Sequence, residues 1–294
     1  MQEIKYPSVV PHLSHDGYHI IKEAIGSSGI KTIYNKSVAH YKFHEPKHSV
    51  HFDIGTAVHI AILEPEKFDK SVLKCGKSRT TSLYRELKKT KKENQIIITD
   101  KEYDICLRSR DSVHSKSECN KVIASDYGQS EMSAFAKDPV TGVKMKTRPD
   151  RVIIGEKSDI LVDLKTTQSA DEDSVIRSIS RYGYHIQEAF YRHVWSLATK
   201  KNITRFLFLF VEKEPPFACC LYEIPKSFVD EGVACMKKAL REYKDAEVNG
   251  VYKDYPNEIV TLDVPHWAYK ETLPPLEAEQ TILINKPINL EGDL

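Results

Sequence analysis

Three residues stand out for what their types and spacing could do. Asp150, Asp163 and Lys165 lie in the stretch KTRPDRVIIGEKSDILVDLKTT, residues 146–167. Two short apolar runs flank a turn signal at residues 155–158. Antiparallel pairing about that turn sets Asp150 opposite Asp163, because the two positions are symmetric about its midpoint. Side chains alternate along a strand, so Lys165 shares a face with Asp163. Local geometry alone thus brings two carboxylates and an amine together. That trio suits phosphodiester hydrolysis. Mg2+ takes oxygen ligands, often one or two carboxylates with water completing the shell. It lowers the pKa of bound water and stabilises charge in the transition state. A nearby lysine can orient or deprotonate the attacking water and stabilise the developing charge. On spacing alone, a turn aspartate and a surface ion pair fit the same residues equally well.

The elements that must position this trio are visible as periodicity and turn signals. Strands are expected at residues 131–135, 144–148, 150–154 and 159–166, separated by Asp138-Pro139, Thr141-Gly142 and Gly155-Glu156. Helices follow at about 171–180 and 186–199, then strands at 204–212 and 217–224, split by Glu214-Pro215-Pro216. A helix at 227–247 has Val229, Val233, Met236, Leu240 and Tyr243 at three-four spacing, Ser227 with Asp230 as a capping box, and Gly250 at its end. Earlier in the chain, helices are expected at 14–24 with Ser14 as cap, at 53–63 ending near Pro65, at 82–93, and from Asp100 to about Val113 after the short run Ile96–Ile98. Beyond Tyr255 five prolines interrupt any pattern. The reading is one α/β domain over 1–255, helical to about 125, with a catalytic sheet at about 126–225. An extended arm or tail follows over 256–294.

Composition bounds the class. Forty per cent hydrophobic and 29 per cent charged residues suit a globular domain with a substantial core. No apolar run approaches the ~18 residues that would span a bilayer. The first residues lack the apolar stretch of a secretory signal, so a cytoplasmic location is expected and no membrane partner. None of the six cysteines forms a C-x-x-C pair, which argues against a zinc knuckle, and the doublet Cys219-Cys220 with Cys235 does not match an iron–sulfur spacing. Net charge is +1, but its distribution is uneven. Between Lys70 and Glu93 nine basic residues, including Lys88, Lys89, Lys91 and Lys92, face two acidic ones. Between Tyr255 and Leu294 seven acidic residues face two basic ones. Such asymmetry suits one phosphate-facing side, and equally a solvated basic helix.

Pro149-Asp150 followed by Asp163-Leu164-Lys165 resembles the PD-(D/E)XK nuclease signature. The short signature is weak, but its surroundings strengthen it. Gly55-Thr56-Ala57-Val58-His59, followed by Leu63-Glu64-Pro65, resembles the helix that brings a histidine to the site in the RecB-like branch. Gln187 to Tyr191 resembles that branch's Q-x-x-x-Y motif, and Glu131-Met132-Ser133 its acidic strand before the hairpin. Val211 to Pro216 is similar to the RecE-type exonucleases. The matches run in order over roughly residues 50–225. The resemblance is therefore to the catalytic core of a RecE-type exodeoxyribonuclease, exodeoxyribonuclease VIII.

That resemblance implies a central mixed sheet flanked by helices, in a bacterial or phage-encoded protein. It implies a Mg2+-dependent exonuclease, with Mn2+ substituting, that degrades one strand of double-stranded DNA from its 5′ end. The 3′ overhang would pass to a single-strand annealing recombinase of the RecT type. It implies a homo-oligomeric ring, tetramer or trimer. Carried over residue by residue, Asp150, Asp163, His59 and the Leu164 carbonyl hold metal, and Lys165 positions or activates water. Glu131 touches metal or water, Gln187 contacts the site or the DNA, and Tyr191 supports Gln187. Simple readings stand beside these: a hydrogen-bonded helix histidine for His59, and packing for Tyr191. Lys88, Lys89, Lys91, Lys92, Arg148 and Thr166 are phosphate candidates on charge or donor chemistry, and a structural role fits Arg148 and Thr166 equally. His185 and His193 have no motif and are expected in core or surface roles. The competing functions are another nuclease of the superfamily, acting on single strands or on branched structures, and a non-catalytic DNA-binding subunit.

Overall fold

The computed structural model describes residues 4–45 and 50–263. Its N-terminal elements are β1 (Ser8–Val10), α1 (His15–Ile20), α2 (Ser27–Asn35), α3 (Val38–Lys42), α4 (Val50–Leu63), α5 (Pro65–Ser71), β2 (Val72–Lys74), α6 (Ser82–Thr90), β3 (Ile96–Ile98), α7 (Asp100–Ser115) and α8 (Ser117–Ile123). The sheet region follows as β4 (Gly128–Ser130), β5 (Ser133–Lys137), β6 (Lys144–Thr147), β7 (Arg151–Ile154), β8 (Ser158–Thr167), α9 (Glu172–Tyr182), α10 (Tyr184–Thr199), β9 (Asn202–Glu212), β10 (Cys219–Tyr222) and α11 (Lys226–Asn249).

The main sheet has the order β10-β9-β8-β7-β4. Only β8 and β9 run parallel, and they are joined by the α9–α10 crossover that a parallel pair requires. The other neighbours are antiparallel, so the sheet is mixed. A smaller antiparallel sheet, β1-β5-β6, and a parallel β2-β3 pair complete the strands.

Alternation along β8 and β9 explains the layers. Leu161, Phe206, Phe208 and Phe210 pack on one face with Val175, Ile179 and Trp195 of α9 and α10. Leu164, Leu209 and Val211 pack on the other with Ala57, Val58, Ala61 and Ile62 of α4 and with Cys106 and Val113 of α7. The expected α/β class with helices on both faces is what the chain adopts. A third apolar cluster joins α2, α10 and α11 through Ile30, Ile33, Ile186, Phe190, Met236 and Leu240.

Several boundaries differ from expectation for identifiable reasons. Ser14 does cap α1, accepting from the Gly17 N–H at 3.0 Å. That helix stops at Ile20, because the chain next pairs with β6: Ile25 and Lys144, and Lys146 and Ile25, exchange backbone hydrogen bonds of 2.9 Å. Pro65 does not merely stop α4. It opens α5, where its missing N–H costs nothing. The Ser227–Asp230 capping box does not form. Pro225 is the N-cap, and Asp230 instead pairs with Lys226 at 2.6 Å. Gly250 ends α11 in the left-handed conformation, φ 68°. His185 stacks on Phe228 with ring centroids 4.3 Å apart, and His193 Nε2 lies 2.9 Å from Asp138 Oδ1.

Residues Met1–Lys253 form one compact unit and Asp254–Leu294 a second. Within the second, residues 254–263 contain no helix or strand, and the rest of the expected arm, from residue 264, lies outside the described residues. Among the described residues no helix is long and apolar enough to cross a membrane.

Helix α11 approaches α10 closely because Gly232 has no side chain. A Cβ there would stand 2.3 Å from the His185 carbonyl oxygen. Gly232→Ala should force the helices apart and cost about 1–3 kcal/mol, read as a fall in Tm of several degrees. An unchanged Tm would show that the contact is not tight.

Candidate active site

Asp163 sits on β8, the middle strand of the main sheet, and is only 2% exposed. A buried carboxylate needs partners. The register Arg151↔Val162 continues to set Asp150, just ahead of β7, opposite Asp163. Asp150 Oδ2 accepts the Leu164 N–H at 2.6 Å and lies 3.6 Å from His59 Nδ1. Leu164 thus reaches Asp150 through its N–H. Burial alone would raise the Asp150 pKa. His59, Lys165 and the Leu164 N–H outweigh burial and hold it below the ordinary carboxylate value. Burial likewise disfavours His59 protonation, but Asp150 and Glu131 reverse the balance and raise its pKa.

Asp163 is held from two sides. Gln187 donates from Nε2 to Oδ1 at 2.6 Å. Lys165 Nζ pairs with Oδ2 at 2.5 Å, and among the described residues no other donor reaches this buried oxygen. Burial and the nearby Asp150 charge raise the Asp163 pKa. Burial by itself would lower the Lys165 pKa, yet Asp163 and Asp150 together raise it. With its charge Lys165 can orient a phosphate oxygen or donate a hydrogen bond.

Glu131 was expected on a strand. It lies instead in the bend between β4 and β5, at φ 57°, with its N–H bonded to the Asp150 carbonyl at 3.1 Å. A left-handed glutamate is a strained residue, and such strain collects at functional sites. Burial and the Asp150 charge push its pKa up to about 7.

Asp163 and the ionised Asp150, opposite each other in register, supply two carboxylates that suit a cation, with Glu131 near Asp150. Among the described residues no three His, Cys, Asp or Glu side chains gather closely enough to cage an ion unaided. Mg2+ commonly keeps several waters and needs only one or two carboxylates, so the donor set suits it.

Other expected residues lie elsewhere. Arg148 is buried and structural. It donates to Ser133 Oγ and to the Leu13 and Ser14 carbonyls at 2.8–3.2 Å, and its guanidinium stacks 4.5 Å from the Tyr18 ring centroid. It ties the N-terminal segment to the sheet and is not free to meet DNA. Thr166 faces α4 beside Gly55, opposite Asp163 and Lys165 on the strand. Tyr191 packs against Phe206, with centroids 6.1 Å apart. Lys88, Lys89, Lys91 and Lys92 are exposed on and just after α6, and among the described residues none contacts the trio.

Two neighbours were not anticipated. Lys31 of α2 reaches Gln187 Oε1 at 3.4 Å, and burial with the nearby Lys165 pushes its pKa down to about 8. The Tyr184 ring lies under Lys165 Nζ at 4.8 Å. Tyr184 precedes Gln187 by three residues on one helix face, a spacing that could have flagged it. Nothing local marks Lys31. A cavity of about 740 Å³ between α10, α11 and the Asp138–Thr141 turn contains none of these residues.

With this geometry in place, comparison with known proteins is decisive for the family. The profile of the PDDEXK-like domain of unknown function (DUF3799) matches residues 33–259. The chain belongs to this family. The PD-(D/E)XK superfamily is thereby established, whereas the finer resemblance to RecE-type enzymes is not carried by this match. Comparison with curated proteins finds no match. An exonuclease candidate from Eubacterium rectale has a similar solved structure, with TM-score 0.58 and 14% identity over 87% of this chain and 97% of that one. At that identity the likeness speaks for the fold. A phage-related exonuclease from Haemophilus somnus overlaps less, with TM-score 0.34 and 11% identity over 79% of this chain and 99% of that one, and carries no argument.

Arg148→Met should remove charge-assisted hydrogen bonds to three acceptors, the buried Ser133 Oγ among them, and cost about 2–3 kcal/mol, read in a urea titration. If instead the variant keeps its stability and loses affinity for DNA, Arg148 is a phosphate contact.

Proposed function

We propose that this PDDEXK-like protein is a metal-dependent exonuclease of double-stranded DNA. Its direction is 5′ to 3′, leaving 3′ single strands for annealing and recombination. The observation that carries the reading is the juxtaposition of Asp150, Asp163 and Lys165, with the Lys165 ammonium 2.5 Å from the buried Asp163 carboxylate and Asp150 opposite it in register. Asp163 and Asp150 would hold a divalent cation, Mg2+ by preference, with Glu131 and His59 beside it. When bound, the ion neutralises phosphate charge and supplies an activated water.

The chain's own residues do the rest. Gln187 fixes the Asp163 carboxylate through its 2.6 Å hydrogen bond, so the ligand is oriented before substrate arrives. His59 and the Leu164 N–H do the same for Asp150. The Lys165 ammonium meets the phosphate oxygens and stabilises charge as the bond breaks. The lysines of α6 offer sequence-blind phosphate contacts, as an enzyme that travels along any sequence requires.

Polarity, the annealing partner of the RecT type and a ring of three or four subunits follow from the RecE-type resemblance and belong to this proposal. One assay tests the core of it. Linear duplex DNA labelled at one 5′ end, and a matched closed circle, are incubated with the protein and Mg2+. Early release of labelled mononucleotides, a spared circle and a block by chelator are expected. Cutting of the circle would replace exonuclease by endonuclease. Binding without cleavage of either would favour a non-catalytic DNA-binding subunit.

A further inference from the structure

The α9–α10 corner presents an aromatic ring beside the site that the chemistry above does not use. Tyr182 is the last residue of α9 and is 50% exposed. Its ring centroid lies 5.8 Å from that of Tyr184, at an interplanar angle of 34°. Tyr184 in turn carries Lys165 Nζ at 4.8 Å and Lys31 Nζ at 5.5 Å over its ring, and stacks on Phe208 at 5.8 Å. The Tyr182 ring is therefore no more than about 11 Å from Lys165 Nζ. That is roughly three nucleotide rises at ~3.4 Å each.

The platform is rigidly mounted. Gly183, at φ 62°, closes α9 by donating to the Ile179 and Ser180 carbonyls and accepts the Gln187 N–H at 3.1 Å. One turn thus fixes both Tyr182 and the glutamine that holds Asp163. The exposed Arg181 lies over the ring, Cζ 5.7 Å from its centroid, and among the described residues no carboxylate pairs with it. A half-exposed aromatic with an unneutralised guanidinium matches the recognition of nucleic acid strands, in which bases stack on rings and cations meet phosphates.

We propose that Tyr182 is a stacking platform for a nucleobase within three nucleotides of the phosphate held at Lys165, with Arg181 pairing to the adjoining backbone. Every base has a π-face, so the contact is indifferent to sequence and suits a strand fed stepwise past the site. The proposal rests on the nuclease reading for its substrate. Tyr182 binds and positions, and takes no part in bond making.

The test measures KM and kcat on linear duplex DNA with an abasic residue at each of the first three 5′ positions in turn. The proteins are full-length wild type, Tyr182→Ala and Tyr182→Phe. Tyr182→Ala should raise KM on the order of tenfold, within the range expected for losing one stacked base, with kcat changed less than twofold. Tyr182→Phe should restore it. For the wild type, an abasic residue at one position should raise KM by a similar factor and should add nothing to the Tyr182→Ala penalty. Penalties that multiply, or no wild-type penalty at any position, would overturn the proposal, and the latter needs no variant to fold. Should the wild type cleave no DNA, the nuclease reading fails separately. The base site is then read from a 2-aminopurine oligonucleotide, whose fluorescence should be quenched by wild type and not by Tyr182→Ala. Absence of that difference would overturn it.

Discussion

The structure depends on one costly act, the burial of the Asp163 carboxylate in the middle strand of a five-stranded sheet. An unpaired charge there would destabilise the fold by several kcal/mol. Its partners come from separate segments. Lys165 lies two residues along the same strand, Gln187 comes from α10, and a second carboxylate, Asp150, approaches from the neighbouring strand. Bringing Asp150 close adds repulsion, which the protein answers with His59 and the Leu164 N–H. The positive charge of Lys165 meets Asp163 Oδ2 at 2.5 Å, and burial with the Asp150 charge still raises the Asp163 pKa.

This constraint reaches into the packing. Gln187 can hold Asp163 only if α10 lies tightly on the sheet, and its apolar face, with Phe190, Val194 and Trp195 fully buried, secures it. Gly183 sets where that helix begins, and Gly232 lets α11 press on it from behind. On the other side of the sheet α4 delivers His59 from the Ala57, Val58, Ala61 and Ile62 face. Arg148 fastens the N-terminal segment against β5 beside Glu131. The polar centre is thus framed by apolar surfaces that leave its side chains little freedom.

Much of this was legible in local pattern. The facing of Asp150 and Asp163 followed from symmetry about a turn, and the observed register agrees. Most strand and helix types from Asp100 onward followed from periodicity, but the short α8 and β4 were not anticipated. What escaped depends on contacts between distant segments. Helix α2 carries Lys31 to Gln187 across 156 residues, and β1 pairs with β5 across more than a hundred. Arg148 reads as a surface cation until its acceptors at Leu13 and Ser14 are seen. Glu131 sits in a strand-like run, Glu131 to Phe135, whose composition does not disclose a left-handed bend. Lys165 could be read as a base by residue type. The two carboxylates beside it, which raise its pKa against burial, appear only in the fold.

The most direct measurement is single-turnover cleavage of DNA by Asp163→Asn, at near-constant size and without the charge, alongside equilibrium DNA binding. Loss of cleavage by about a hundred- to a thousandfold, the order seen when a key electrostatic group is removed, with binding within a few-fold of wild type, is the predicted result. Cleavage at the wild-type rate would contradict it and remove the buried carboxylate from the chemistry.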